Sequence, residues 1–419
     1  MMRKELILIV SESIDVNDSS ATKGRVALIK NLQQCGFNLM VYHYTRKNIE
    51  IEGVECIEIR EKKWNIYYLL SKIQLIIRRA FNYNIGIHFE KRIGFSFSFF
   101  NDVKSIKMAL QNETDFEPDW VLTLSKASSF RTHMALLEIP KWHQKWLAYV
   151  HDPYPMSQYP EPYNWLSPGH QQQEEFFRQV AKKAAHAIFP SKLLKEWMGK
   201  FYPEFNERGL VIPHQISVEN TQKEHGPSYF KENFFTILHA GSLMKPRNPS
   251  GLVEGFQQFL NNNETAKIES QILLLGNKTY FADYLNKKSK EMPQLYLSSG
   301  YVEYNEVQYI QNHTSVNVIL EAKSDISPFL PGKFPHCIKA NKPILYLGPK
   351  HSETLRLLGE GYEFSAEIDQ TDEIAQHVEQ LYKNWKNRSN ERYLNRTDLD
   401  YYLGREYLEK VFKSKIFSR

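Results

Sequence analysis

The chain has 419 residues, too many for one ordinary core, and suits two domains of roughly 200 residues each. With 42% hydrophobic and 24% charged residues and no long polar or low-complexity tract, the composition excludes a disordered chain. A net charge of +5 on dispersed basic residues is no footprint for nucleic acid, and Cys35, Cys56 and Cys337 are too scattered for a disulfide framework or a cysteine-rich metal site.

The amino end, "MMRKELILIVSESID", starts charged, but its apolar run of about six residues is too short for a signal peptide and reads as a first strand. No run approaches the roughly 18 apolar residues of a membrane span. A cytoplasmic protein is expected. "ELILIV" then leads through a polar loop into "KGRVALIKNLQQCG", where Leu28, Ile29, Leu32 and Cys35 share a helix face and Gly36 stands at the C-terminal cap. "FNLMVY" resumes as strand, which completes one β-α-β unit.

Basic and aromatic residues gather between about Lys62 and Phe100, in "KIQLIIRRAF" and "GFSFSFF". They read either as an amphipathic helix followed by a half-buried strand or loop, or as a docking patch for an anionic membrane or lipid-linked substrate. Further strands are expected at "GVECIEI", "DWVLTL", "KWLAYV", "HAIFPS" and "GLVIPH". A polar stretch, 217–233, is the candidate linker. The alternation then restarts with "FFTILHAGS", "QILLLGN", "LYLSSGYV", "SVNVIL" and "PILYLG". Alternation of this kind predicts two α/β domains, each a doubly wound, Rossmann-like parallel sheet, facing each other across a cleft. Ligands of such sheets sit outside the carboxyl ends of the strands.

Three stretches carry candidate chemistry. In "HAGSLMKPRNP", Gly241 and Ser242 let backbone approach a ligand, and Lys245 and Arg247 can reach negative charge there. No phosphate-binding P-loop or Gly-x-Gly-x-x-Gly is present. In "SPFLPGKFPHCIKANKPIL", Pro331 and Gly332 set a turn that delivers Lys333 to the start of a helix whose first turn accepts Pro335. A cation placed there reads as a phosphate ligand, against the simpler reading of a solvated loop lysine. In "AYVHDPYP", a strand delivers His151 and Asp152 to its carboxyl end, against a structural Asp-Pro turn with a bystander histidine.

With these residues in view, the sequence resembles the glycosyltransferases of the glycosyltransferase B fold, especially the retaining family 4 type, over most of its length. "SPFLPGKFPHCIKANKPIL" resembles the family's Pro-x-Lys, short helix and Gly-Lys-Pro-apolar pattern, with Asn341 in place of the usual Gly. "HAGSLMKPRNP" resembles its diphosphate turn, and "SGYVEYNEVQYI" the loop where backbone at Tyr301 and Val302 meets the nucleotide base. In the first domain, "KGRVALIKNLQQCG" resembles the family's first loop and helix, which makes Lys23 and Gly24 acceptor-side loop residues.

The resemblance implies transfer of a sugar from a nucleoside-diphosphate sugar to a glycan or lipid-linked acceptor, with retention, without metal or cofactor, and without nucleic acid. It implies an acceptor-side domain over 1–216, joined by a C-terminal helix 400–419 that packs back on it, and a donor-side domain over 217–399. Peripheral contact at the inner face of a membrane is a further expectation of this reading. Arg247 and Lys333 would stabilise the leaving diphosphate, His151 would meet donor hydroxyls, and Asp152 would orient that ring or the acceptor. The family's two glutamates fall on Pro328 and His336, so both carboxylates are missing, and His336 is left to reach a ribose hydroxyl. The open alternatives are a sugar-nucleotide epimerase or hydrolase of the same fold and a binding subunit that has lost catalysis. "DLD" at Asp398 and Asp400 has metal-ligand spacing but reads as helix initiation.

Overall fold

The computed structural model describes residues 5–18, 20–112, 117–216 and 225–417. The described chain divides into two units, one running to Tyr159 and then through Tyr163–Gln215 and from Gly404 onward, the other comprising Pro160–Pro162 and Ile216–Leu403.

The first unit holds a seven-stranded sheet in the order β3-β2-β1-β4-β5-β6-β7. Its strands are β1 Leu6–Ser11, β2 Asn38–His43, β3 Glu55–Glu58, β4 Trp120–Leu124, β5 Trp146–Tyr149, β6 His186–Phe189 and β7 Gly209–Val211. Every pairing is parallel. Continuous apolar runs suit such strands because helices cover both faces. One layer of core joins Leu8, Val121 and Trp146, and the opposite layer joins Ile9, Leu122 and Leu147. The helix Ser20–Gln34 buries Leu28, Ile29 and Leu32 in the second layer and is followed by Gly36 at φ +88°.

The second unit repeats the arrangement in six strands, ordered β10-β9-β8-β11-β12-β13. These are β8 Phe235–Ala240, β9 Ser270–Leu275, β10 Leu295–Leu297, β11 Val316–Leu320, β12 Ile344–Leu347 and the two-residue β13 Ser365–Ala366. In both sheets the chain reverses direction across the sheet beside its first strand. The carboxyl ends of β1 and β4, and of β8 and β11, therefore open at the place where ligands of doubly wound sheets bind.

Several expectations need correction. "GFSFSFF" holds no strand and is loop only at 94–96: Ser96 Oγ accepts from Phe99 N at 3.2 Å and starts the helix Phe97–Gln111. The expected C-terminal helix 400–419 is broken. Thr397–Tyr402 stays with the second unit, where Leu399 and Leu403 meet Phe334 and Ile338. Only the following segments, Arg405–Val411 and Phe412–Ile416, join the first unit, with Leu408, Phe412 and Ile416 in its core. Of the expected linker, 217–224 lies outside the described residues. Its later part is packed: Tyr229 stacks on Tyr296 at 4.0 Å, and its hydroxyl donates to Glu306 at 2.6 Å.

Asn341 supplies a physical reason for its departure from glycine. It ends the helix Phe334–Lys339 at φ +51°, donates its N–H to Ile338 O at 2.9 Å, and accepts Asn395 N on Oδ1 at 2.8 Å. Asparagine tolerates the left-handed region better than other side chains. We expect Asn341→Val to lower stability by about 1–2 kcal/mol and Asn341→Gly to lower it less. Urea unfolding midpoints of the two variants check this, and equal losses would contradict it.

Candidate functional site

In the second unit, two glycines bring the turns after β8 and β9 together. Gly241 has φ +148° and donates its N–H to Leu275 O at 2.8 Å. Gly276 has φ +128°, and a Cβ there would stand 2.6 Å from Gly241 O. Leu243 N adds a bond to Asn277 O at 2.8 Å. The close approach leaves Gly241 and Ser242 exposed at the strand edge.

Lys333 reaches this turn from the loop after β11. Phe334 N donates to Pro331 O at 2.8 Å to form the turn before it. Its Nζ donates to His239 Nδ1 at 3.2 Å and to Val318 O at 3.2 Å, and a Cβ on Gly241 would lie 3.7 Å from it. An ammonium only donates, so His239 accepts on Nδ1 and carries its ring proton on Nε2. Burial, then the charges of Lys333 and Arg247, holds His239 well below the usual imidazole range. Burial also lowers Lys333 to about 8; Cys337 and Glu321 oppose the shift, while Arg247 adds to it. Arg247 is half-buried on a turn closed by its N–H to Met244 O at 2.8 Å, and Lys245 is exposed.

One carboxylate escaped the sequence reading. Glu321 follows β11 directly, is buried, accepts Thr354 Oγ1 at 2.8 Å and takes the Ser327 hydroxyl as a second donor. Burial raises its pKa; the two hydroxyls and the charge of Arg247 pull the other way. An acidic residue placed immediately after a buried strand was the available signal. Pro328 and His336 are, as expected, not carboxylates. His336 Nδ1 lies 3.4 Å from Tyr304 Oη, edge-on to that ring. Tyr301 is exposed and Val302 half-buried, on the loop after β10, where Ser298 Oγ donates to Gly300 O and accepts Gly276 N, each at 2.8 Å. The fold thus gathers Gly241, Lys333 and Arg247 at one switch point, with His336 beside the loop that carries Tyr301.

In the first unit, Lys23 and Gly24 lie inside the helix Ser20–Gln34 rather than in a loop, because the helix begins earlier than the Gly suggests. The next residue carries more of the structure. Arg25 is buried and donates to Ser13 O at 3.1 Å, to Ser125 O at 2.9 Å and to Thr22 Oγ1 at 2.6 Å, tying the turns after β1 and β4 to the helix. His151, after β5, has Nε2 3.1 Å from Ser125 Oγ and stacks on Phe130. Burial, then Arg25, His214 and His133, keeps His151 neutral. Asp152 is half-buried, and burial pushes it up to about 7.

Beside these residues, a pocket of about 290 Å³ opens at the carboxyl ends of β1, β2 and β4. Its charges are matched: Arg46 and Arg131 meet Asp102 at 2.9 and 3.0 Å, Lys47 meets Asp15 at 2.7 Å, and Lys126 meets Asp18 at 2.6 Å. Matched ions and neutral imidazoles suit a ligand rich in hydroxyls, whereas the Lys333 and Arg247 pair suits an anion. Asp398 is held by Arg396 Nε at 2.7 Å in the first turn of its helix. Among the described residues no group of three or more His, Cys, Asp or Glu side chains is placed to hold a metal ion.

No protein-family model matches the sequence, and no curated protein sequence matches it. Solved structures do match over the full length. A trehalose-6-phosphate protein from E. coli, solved with UDP-2-fluoro glucose, shares 11% identity at a TM-score of 0.64, covering 99% of each chain. An α,α-trehalose-phosphate synthase (UDP-forming) from Burkholderia xenovorans, in complex with glucose-6-phosphate, shares 10% at 0.63, covering 98% of this chain and 99% of that one. WaaG, a glycosyltransferase involved in lipopolysaccharide biosynthesis, shares 11% at 0.58, covering 98% and 100%. The likeness shows the fold, which is the glycosyltransferase B fold of two Rossmann-like parallel-sheet units.

The lowered pKa of Lys333 sets a pH dependence. In the free protein the ammonium loses its proton near pH 8, and a bound phosphate would hold that proton on. Affinity for a nucleoside diphosphate should therefore be level below pH 8 and fall about tenfold per pH unit above it. Lys333→Met should remove the slope. Calorimetric titrations across that range check both outcomes.

Proposed function

We propose that this protein is a retaining, family 4-like glycosyltransferase that moves a sugar from a nucleoside-diphosphate sugar to a glycan or glycolipid acceptor without a metal ion. The observation that carries the reading is the Lys333 ammonium, seated between His239 Nδ1 and Val318 O beside the exposed Gly241 turn. Full-length likeness to nucleotide-sugar transferases supports it.

In this reading the diphosphate lies against the Gly241–Ser242 backbone, and Lys333 and Arg247 face the charge that develops on it as the glycosidic bond opens. Their positions are set before substrate arrives, so little reorganisation is needed in the transition state. Neutral His239 leaves the Lys333 charge uncancelled. Tyr301 and Val302 would border the base and His336 a ribose hydroxyl. His151 and Asp152 would serve sugar hydroxyls, His151 as a neutral hydrogen-bonding group. The matched-charge pocket of the first unit is the proposed place for a hydroxyl-rich acceptor. Pro328 and His336, where the family carries carboxylates, favour one second reading: a donor-binding subunit without turnover.

Thermal unfolding with UDP, GDP, ADP and dTDP, with and without magnesium, tests donor binding. A true ligand at a hundred times its dissociation constant should add about 2.7 kcal/mol, equally without magnesium. Lys333→Ala should abolish the shift. With the matching donor, Arg247→Ala should cost about 2.7–4 kcal/mol of transition-state stabilisation if it acts like other preorganised donors. Binding without turnover on any acceptor would select the second reading.

A further inference from the structure

The helix Ile66–Phe81 of the first unit buries none of its 16 residues. It is nevertheless well anchored. Asn65 Oδ1 accepts from the N–H groups of Tyr67 and Tyr68, Asn65 Nδ2 donates to Asn101 Oδ1 at 2.7 Å, and Tyr67 stacks on Phe100 at 5.3 Å. The half-buried side, including Tyr67, Leu70, Gln74 and Ile77, repeats at helical spacing. One residue earlier in each turn, Ile66, Leu69, Ile73 and Ile76 form a second apolar stripe, and all four are exposed. Lys72 and Arg79, seven residues apart, line one edge of that stripe.

Trp64 is 100% exposed just before the helix, Phe81 is 76% exposed at its end, and the next helix, Gly86–Ile93, exposes Ile87, Phe89 and Ile93. Eleven of the twenty exposed large hydrophobic residues of the described chain fall in 64–93. Over 62–93 the sequence has seven Lys and Arg residues against a single acid, Glu90. Apolar exposure of this density marks an interaction surface, and its charge selects the occupant. A second copy meeting this face about a two-fold axis would set like charges against each other. An anionic bilayer supplies the opposite charge and takes up the apolar stripe together.

We propose that the helix Ile66–Phe81 and the segment after it form a docking surface for an anionic lipid bilayer, with Trp64, Leu69, Ile73, Ile76 and Phe81 entering the interface and Lys72 and Arg79 meeting lipid phosphates. The inference deepens the glycolipid side of the proposed function and rests on it only for its biological purpose. Vesicle binding itself needs no turnover.

The test is co-sedimentation of the full chain with vesicles of phosphatidylglycerol mixed with phosphatidylcholine, and with phosphatidylcholine alone. Wild type should partition to the mixed vesicles and not to the neutral ones, and salt should release it. Lys72→Glu with Arg79→Glu, and separately Leu69→Gln with Ile76→Gln, should each lower the partition about tenfold or more. Because altered variants can fold poorly, a second readout uses mild substitution: emission should shift to the blue on mixed vesicles in wild type and lose that shift in Trp64→Phe. Equal binding to both vesicle types, no binding to either, or wild-type partition by both double variants would overturn the proposal. So would self-association of the chain that these variants abolish without altering vesicle partition, which would assign the face to a second copy. Nucleotide-induced stabilisation, measured without vesicles, judges the donor-binding reading separately.

Discussion

A desolvated ammonium must be given acceptors, and the carboxyl edge of the second sheet is arranged around supplying them to Lys333. Val318 offers a carbonyl from within β11 and His239 offers Nδ1 from near the end of the neighbouring β8. Both acceptors are neutral, so the lysine keeps a net charge while its hydrogen bonds are met. A carboxylate in either place would satisfy the same donors and cancel the field. The positive Gly241 and Gly276 φ angles let the adjoining turns close without filling the space beside the ammonium. The net charge beside the Gly241 turn depends on what the strand ends withhold as much as on what they provide.

The first unit solves a related problem with a different cation. Arg25 spends its donors on Ser13 O, Ser125 O and Thr22 Oγ1. Its geometry suits bridging two loops, since the guanidinium fork can serve several acceptors at once. Burial lowers it to about 10, against the charges of Glu12 and Asp18. Arg25 is a positioning group for the turns that carry Ser13 and Ser125, and through Ser125 it reaches His151. The contrast is chemical: the half-buried Lys333 stands beside the exposed Gly241 turn, while the buried Arg25 holds backbone in place.

Much of the fold was legible because parallel strands are short apolar runs and helices recur at a different period. β1 and β8 can be read directly from "LILIV" and "FFTIL". β13 was not, since two residues carry no period. "GFSFSFF" misled because alternating Phe and Ser mimics a strand over the five residues 95–99. The longer spacing of Phe99, Val103, Ile106 and Leu110, all buried, reveals the helix once Ser96 is taken as its cap. Arg25 belongs to no motif, yet it sits at i, i+3, i+4 and i+7 with Leu28, Ile29 and Leu32, on the buried face.

Glu321 and His239 show why the site was harder to read than the fold. Motif spacing directs attention to Pro328 and His336, where the expected carboxylates are missing, and away from a strand-end Glu outside the motif. What Glu321 does is fixed by tertiary contacts: Thr354 and Ser327, remote or shifted in sequence, turn an expensive buried carboxylate into a hydrogen-bonded brace between the β11 loop and the helix Glu353–Leu358. A carboxylate so occupied is poorly suited to replace the missing pair as a ligand for sugar. In the proposed function, donor recognition would then lean on cations, backbone and neutral side chains, a chemistry that discriminates by hydrogen-bond geometry and shape.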